Sequence, residues 1–195
     1  MEPEGEYDTV LFDGRTFDAI DAGNALFIGC TFSAVTLNGG TYRRSRFNDV
    51  SLRGVRAVGA DLAETDWLDA KVHTSAFSGV EAFSVRWRRV VLQGCKLDSV
   101  NFRAAKFTDV VFEDCVLRDV DWAGAALDTV RFPGSALRRV RFDKATMADV
   151  DFRRAAELDV ADGYTSLRGA IVDSGQLMSM ASALAAALGI RVEDD

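Results

Sequence analysis

CKLDSVNFRAAKFTDVVFEDCVLRDVDWAGAALDT, residues 95–129, places an apolar residue at Leu97, Phe102, Phe107, Phe112, Leu117, Trp122 and Leu127, one at every fifth position. Read outwards from this stretch, the register holds from Phe12 to Phe152, twenty-nine positions without an insertion or deletion. In a chain that is 48% hydrophobic, chance gives such a run about once in a billion trials, so the register carries the architecture. The residue two places earlier keeps the same period and is nearly always small, as at Val10, Ala25, Cys30, Val35, Val50, Val55, Ala60 and Val150. A period of five fits neither the helical 3.6 nor the strand's 2, so the chain must turn once per repeat to keep these positions on one side.

Units such as Cys95-Lys96-Leu97-Asp98-Ser99, Ala105-Lys106-Phe107-Thr108-Asp109 and Ala125-Ala126-Leu127-Asp128-Thr129 resemble the pentapeptide repeat family, whose pattern is written A(D/N)LXX. Asp61-Leu62, Asn101-Phe102, Asp121-Trp122 and Asp151-Phe152 match its second and third positions best. The resemblance extends over residues 8 to 172. It implies an all-β fold, a quadrilateral, right-handed parallel β-helix with four pentads and twenty residues per coil.

Residues one coil apart then stack at the strand spacing of about 4.8 Å. One such column holds Phe27, Phe47, Trp67, Trp87, Phe107, Leu127 and Met147, and another Phe12, Phe32, Leu52, Val72, Leu92, Phe112, Phe132 and Phe152. Both suit a dry, close-packed interior. Ala22, Ala57 and Ala82 interrupt the large position and predict looser packing or an inward-shifted neighbour there. About eight coils give a rod roughly 40 Å long, with a backbone side of about 16 Å. With side chains, the girth approaches that of a nucleic acid duplex.

Three segments follow: an acidic leader over 1–9, the β-helix over 10–172, and a C-terminal helix and tail over 173–195. Glu2, Glu4, Glu6 and Asp8 make the leader either a guard against end-to-end stacking or a disordered tail. The large position fails at Glu157 and Asp162, which predicts a bulge around Leu158 to Tyr164. Asp173 with Gln176 reads as a capping box opening a helix over about 174–188, and Gly189 as its stop. Leu177, Met180, Ala181, Leu184 and Leu188 share one stripe of that helix, with Met178 and Ala185 beside it. The stripe is either a lid on the last coil or, as in the family the segment resembles, the seam of a homodimer.

No run of eighteen apolar residues and no signal-peptide pattern occurs, which predicts a cytoplasmic protein with no membrane contact. Cys30, Cys95 and Cys115 all fall in the small inward slot and are expected as free thiols. The single histidine, His73, reads as a solvated side chain. The glycines at 14, 29, 39, 54, 59, 79, 94, 124 and 134 share one pentad slot and are expected to turn corners, not to cradle phosphate. No metal-ligand cluster, cofactor motif or cleft for a pair of carboxylates emerges, so no catalytic, metal or cofactor residue is assigned and no enzyme is expected.

Function then falls to the surface. The formal charge is -7, but residues 1–10 carry four acids and residues 155–195 seven acids against two bases, leaving the solenoid at +2. A duplex of the same length carries about 23 negative charges, so the rod matches DNA in shape better than in charge. Asp49, Asp69, Asp109 and Asp149 occupy one column, with Asp66 and Asp128 beside it. Such a stripe is either a partner's landmark or one half of cross-coil salt-bridge ladders with Arg86, Arg88 and Arg89. Phe83, expected to point outward beside those arginines, marks a second candidate contact. The resemblance implies a protein that binds DNA gyrase or topoisomerase IV by imitating duplex form, modulating the enzyme or protecting it from drugs or toxins. The competing expectation is a scaffold for another protein, with no topoisomerase and no direct nucleic acid binding.

Overall fold

The computed structural model describes residues 1–193 and coils as the register predicts. On three of the four faces a pentad supplies a short strand, such as Thr31–Ser33 or Arg46–Asn48, and then a corner. Residues twenty apart pair in parallel, Phe27 with Phe47, Phe47 with Trp67, Trp67 with Trp87 and Trp87 with Phe107. One face is an 8-stranded sheet, one strand from each of eight coils. Two further faces fuse into a 14-stranded sheet, because strand pairing in Arg86–Gln93 and Lys106–Glu113 continues around a corner. The fourth is held by single bridges that climb from Asp21 through Thr41, Asp61, Glu81, Asn101 and Asp121 to Arg141.

The corners explain the period. From Glu4 to Asp149, every fifth residue has a positive φ, between 46° at Ala19 and 68° at Gly124. The nine expected glycines lie in this slot, but so do residues such as Thr74, Arg89 and Asp109, which adopt the left-handed region at a steric cost of about 1 kcal/mol each. Asp61, Asn101, Asp121 and Asp151 have a local role as well. Each accepts the backbone N–H two residues on, at 3.0, 3.1, 2.8 and 3.0 Å, and Asp21 does the same at 2.9 Å. The family's Asp/Asn position is therefore an Asx turn.

Inside, the large positions stack. Ring centroids lie 4.8 Å apart for Phe27 and Phe47, 4.4 Å for Phe47 and Trp67, and 5.0 Å for Phe132 and Phe152. Buried hydroxyls in the small slot tie coils together: Ser135 accepts from the N–H of Cys115 at 2.9 Å and donates to the carbonyl of Phe112 at 2.8 Å. Cys30, Cys95 and Cys115 are buried free thiols, and the N–H of Cys95 donates to Sγ of Cys115 at 3.4 Å. Its hydrogen bond with Cys95 and its burial push the Cys115 thiol far up, so it stays protonated. Of the three shrunken positions, Ala82 borders a core cavity of about 20 Å³ lined also by Leu62, Trp87 and Phe102.

Two boundaries differ from the sequence reading, and the helix agrees with it. The expected leader over 1–9 is not separate, because Glu6–Asp8 is already a strand paired with Leu26–Ile28. The bulge begins slightly earlier, with Glu157 opposite Ala136, and the usual offset of twenty returns at Val150 and Ala170. Gly163, at φ 93°, passes so close to Phe142 that a Cβ would sit 2.3 Å from its carbonyl carbon, so the bulge requires glycine. The helix spans Ser174–Ala187, opened by the reciprocal Asp173–Gln176 capping box. The last two residues of the expected tail lie outside the described residues. No described helix is long and apolar enough to cross a membrane.

Tyr42 is 2% exposed, and its hydroxyl finds no hydrogen-bond partner among the described residues. Burial pushes its ionisation up to about 12, so its stabilising contribution is complete below the ordinary value of 10 and fades as pH rises from there towards 12. An unpaired buried hydroxyl costs about 1–3 kcal/mol. Tyr42→Phe is therefore expected to raise the melting temperature by a few degrees, measured by circular dichroism at neutral pH.

Candidate functional site

Because coils repeat every twenty residues, charged side chains twenty apart lie one above the other and pair. Arg86 grips Asp66 with Nε and Nη2, the latter at 2.6 Å from Oδ2. Arg89 grips Asp69 in the same way, at 2.6 and 2.7 Å. Arg139 reaches Asp119 at 2.8 Å, and Arg118 reaches Asp98 on the neighbouring column. The candidate acidic stripe is thus partly spent. Asp66 and Asp69 are engaged, and Asp109 has Arg131 at 3.6 Å. Asp49, Asp128 and Asp149 make no ion pair among the described residues, and Asp128 accepts only from the hydroxyl of Thr129 at 3.0 Å.

Phe83 is half-buried rather than fully outward. The guanidinium of Arg43 lies 5.1 Å from its ring centre while donating to Glu64 at 2.8 Å. The reach spans two coils because Ala63, between them in the same column, is small and wholly buried. That spacing is visible in the sequence as Arg43, Ala63 and Phe83 at intervals of twenty. Arg86 and Phe83 do line one surface depression, of about 710 Å³, together with Arg44 and Arg46. Arg88 is exposed and Arg89 is occupied by Asp69.

At the far end, the helix turns Met180 inward, with Leu184 half-buried. Leu177 stays 49% exposed and Leu188 67%, and Met178, Ile190 and Val192 are open as well. A groove of about 280 Å³ runs between helix and last coil, lined by Leu167, Val172, Leu177, Met180, Leu184 and Leu188 among others. The helix is an incomplete lid. His73 lies 3.1 Å from Oε1 of Gln93, and among the described residues no three metal-ligating side chains gather.

The ion pairs set an acid limit on the fold. Hydrogen bonds from Arg89, Arg139 and Arg153 hold the carboxyls of Asp69, Asp119 and Asp151 below their ordinary value of 3.8. Carboxylates lowered in this way stabilise the folded state fully above that value and lose the effect as pH falls through their folded values. The melting temperature is expected to stay level between pH 7 and pH 5 and to fall below about pH 4. The fall should be smaller in an Asp69→Asn/Asp119→Asn/Asp151→Asn variant.

Residues 85–161 match the family model described as a pentapeptide repeat region. No curated protein sequence matches the chain. Among solved structures, a trypsin-treated variant of QnrB1, a plasmid-mediated fluoroquinolone resistance protein, is similar with a TM-score of 0.51 at 17% identity, over 97% of this chain and 100% of that one. HetL, a pentapeptide repeat protein involved in heterocyst differentiation regulation in the cyanobacterium Nostoc, is similar with a TM-score of 0.50 at 14% identity, over 88% of this chain and 91% of that one. These likenesses are of fold. The matched region continues in register into the coils on both sides, Asp66 pairing with Arg86 and Val150 with Ala170, so the same five-residue coil extends beyond it.

Proposed function

We propose that this chain acts by binding another protein and not by catalysis. The supporting observation is the surface: flat β faces on a rigid, side-chain-filled rod, with charges ordered in rows by cross-coil pairs. Holding arginines and aspartates in fixed geometry lowers the entropy lost when a partner docks. Depressions on this surface are shallow and lined by paired charges such as Asp66 and Arg86 beside cations that make no ion pair among the described residues, which suits a contact face.

A narrower reading names the partner as a type II topoisomerase, DNA gyrase or topoisomerase IV, whose DNA groove the rod would occupy. Its support is the duplex-like girth together with the fold shared with a fluoroquinolone resistance protein. In this reading Asp49, Asp128 and Asp149 carry the contact, since Asp66, Asp69 and Asp109 are drawn towards arginines. Added to a gyrase supercoiling assay with and without a fluoroquinolone, the protein is expected to inhibit the enzyme or protect it at tens of micromolar, and Asp49→Lys, Asp128→Lys and Asp149→Lys to weaken the effect. Neither inhibition nor protection would leave the wider protein-binding reading and retire gyrase.

The exposed Leu177, Met178, Leu188, Ile190 and Val192 at the helical end further support self-association there through a twofold contact. Light scattering at micromolar concentration is expected to give twice the monomer mass, and Leu188→Glu to return it to a monomer. A monomer mass for the unaltered chain would remove the dimer.

A further inference from the structure

We infer that the face around Arg46, Arg88 and Lys106 is a docking site for an acidic, extended segment of a partner protein. The inference rests on the protein-binding reading and gives its partner a chemistry. Strand pairing places Arg46, Asp66, Arg86 and Lys106 one above another, and Asn48, Leu68, Arg88 and Thr108 in the next column but one. Asp66 is the carboxylate in the first column, and both of its oxygens are held by Arg86. Glu64, one corner away, is held by Arg43. Arg44, Arg46, Arg88 and Lys106 are exposed with no ion pair among the described residues, while Glu64, Asp66 and Asp69 are held by Arg43, Arg86 and Arg89.

Two depressions, of about 710 and 420 Å³, meet along the Arg46–Asp66–Arg86 row. The smaller is lined by Leu68, Arg88 and Lys106 along with Trp67 and Trp87, whose rings lie in the core. Such a trough takes an apolar side chain between two carboxylates. Arg46 and Lys106 are three coils apart, about 14 Å, which equals four residues of an extended chain. A segment lying along the rod, with acidic residues at its first and fifth positions and an apolar residue between, meets both cations and Leu68. A continuous phosphate backbone fits less well, because it would pass Asp49, which makes no ion pair among the described residues, whereas carboxylates set four residues apart can avoid it.

Fluorescence anisotropy with a short labelled peptide of glutamate and leucine tests this against a single-stranded oligothymidylate of equal charge. The full chain is expected to bind the peptide more tightly than the oligonucleotide at low salt, and to release it as salt rises. Arg46→Glu, Arg88→Glu and Lys106→Glu should each weaken binding at least tenfold, while Arg56→Glu, on another face, should change it less than twofold, with all four variants melting as the parent does. The site is overturned by no peptide binding at low salt, by tighter oligonucleotide binding, or by an equal loss from Arg56→Glu. Because the peptide assay contains no topoisomerase, its failure would leave the supercoiling result untouched, and a failed supercoiling assay would leave this one standing.

Discussion

The structure depends on one constraint: side chains twenty residues apart must sit directly above one another, at the spacing of hydrogen-bonded strands. A stack of that kind closes only if every coil uses the same number of residues and every inward side chain fills the space left by the one below. The aromatic column through Phe27, Phe47, Trp67 and Trp87 meets this with ring centres 4.4 to 5.8 Å apart. A single deletion would shift every later side chain by one slot and turn charge into the core. That is the physical reason the register survives twenty-nine repeats unaltered.

The same constraint organises the outside. Residues that face water are stacked as rigidly as those that do not, so an aspartate and an arginine twenty apart become neighbours whether or not the pair contributes much to stability. Asp66 with Arg86 and Asp69 with Arg89 are such pairs. Their consequence is selective neutralisation. A stripe that looks acidic in the sequence is partly cancelled, and a cluster of arginines that looks balanced retains members without an ion pair among the described residues, Arg44, Arg46 and Arg88. A partner meets this remainder, not the formal charge of -7.

The coil, its period, its core columns and the capping box were legible in the sequence because each follows from a repeated spacing or a short local motif. The corner glycines were legible too, but not the left-handed backbone at Thr74, Arg89 or Asp109, since those residues reveal no such preference by themselves. The coil begins at Glu6 although the apolar register read as starting later, because Tyr7 already fills the inward slot, its ring 5.0 Å from that of Phe27, while its strand pairs with Leu26–Ile28. Phe83 is covered by an arginine two coils away, a contact that depends on the small Ala63 and on side-chain rotamers that no spacing dictates. For the same reason, which carboxylates stay free emerged only with the side chains in place.

The chain's three tryptophans, Trp67, Trp87 and Trp122, all lie inside the coil, at 4%, 8% and 0% exposure. Iodide quenching of their fluorescence therefore tests the filled, four-walled column most directly. The native protein should emit at short wavelength and resist quenching until it is unfolded. Emission at the wavelength of water-exposed tryptophan, with native quenching equal to that of the unfolded chain, would contradict it.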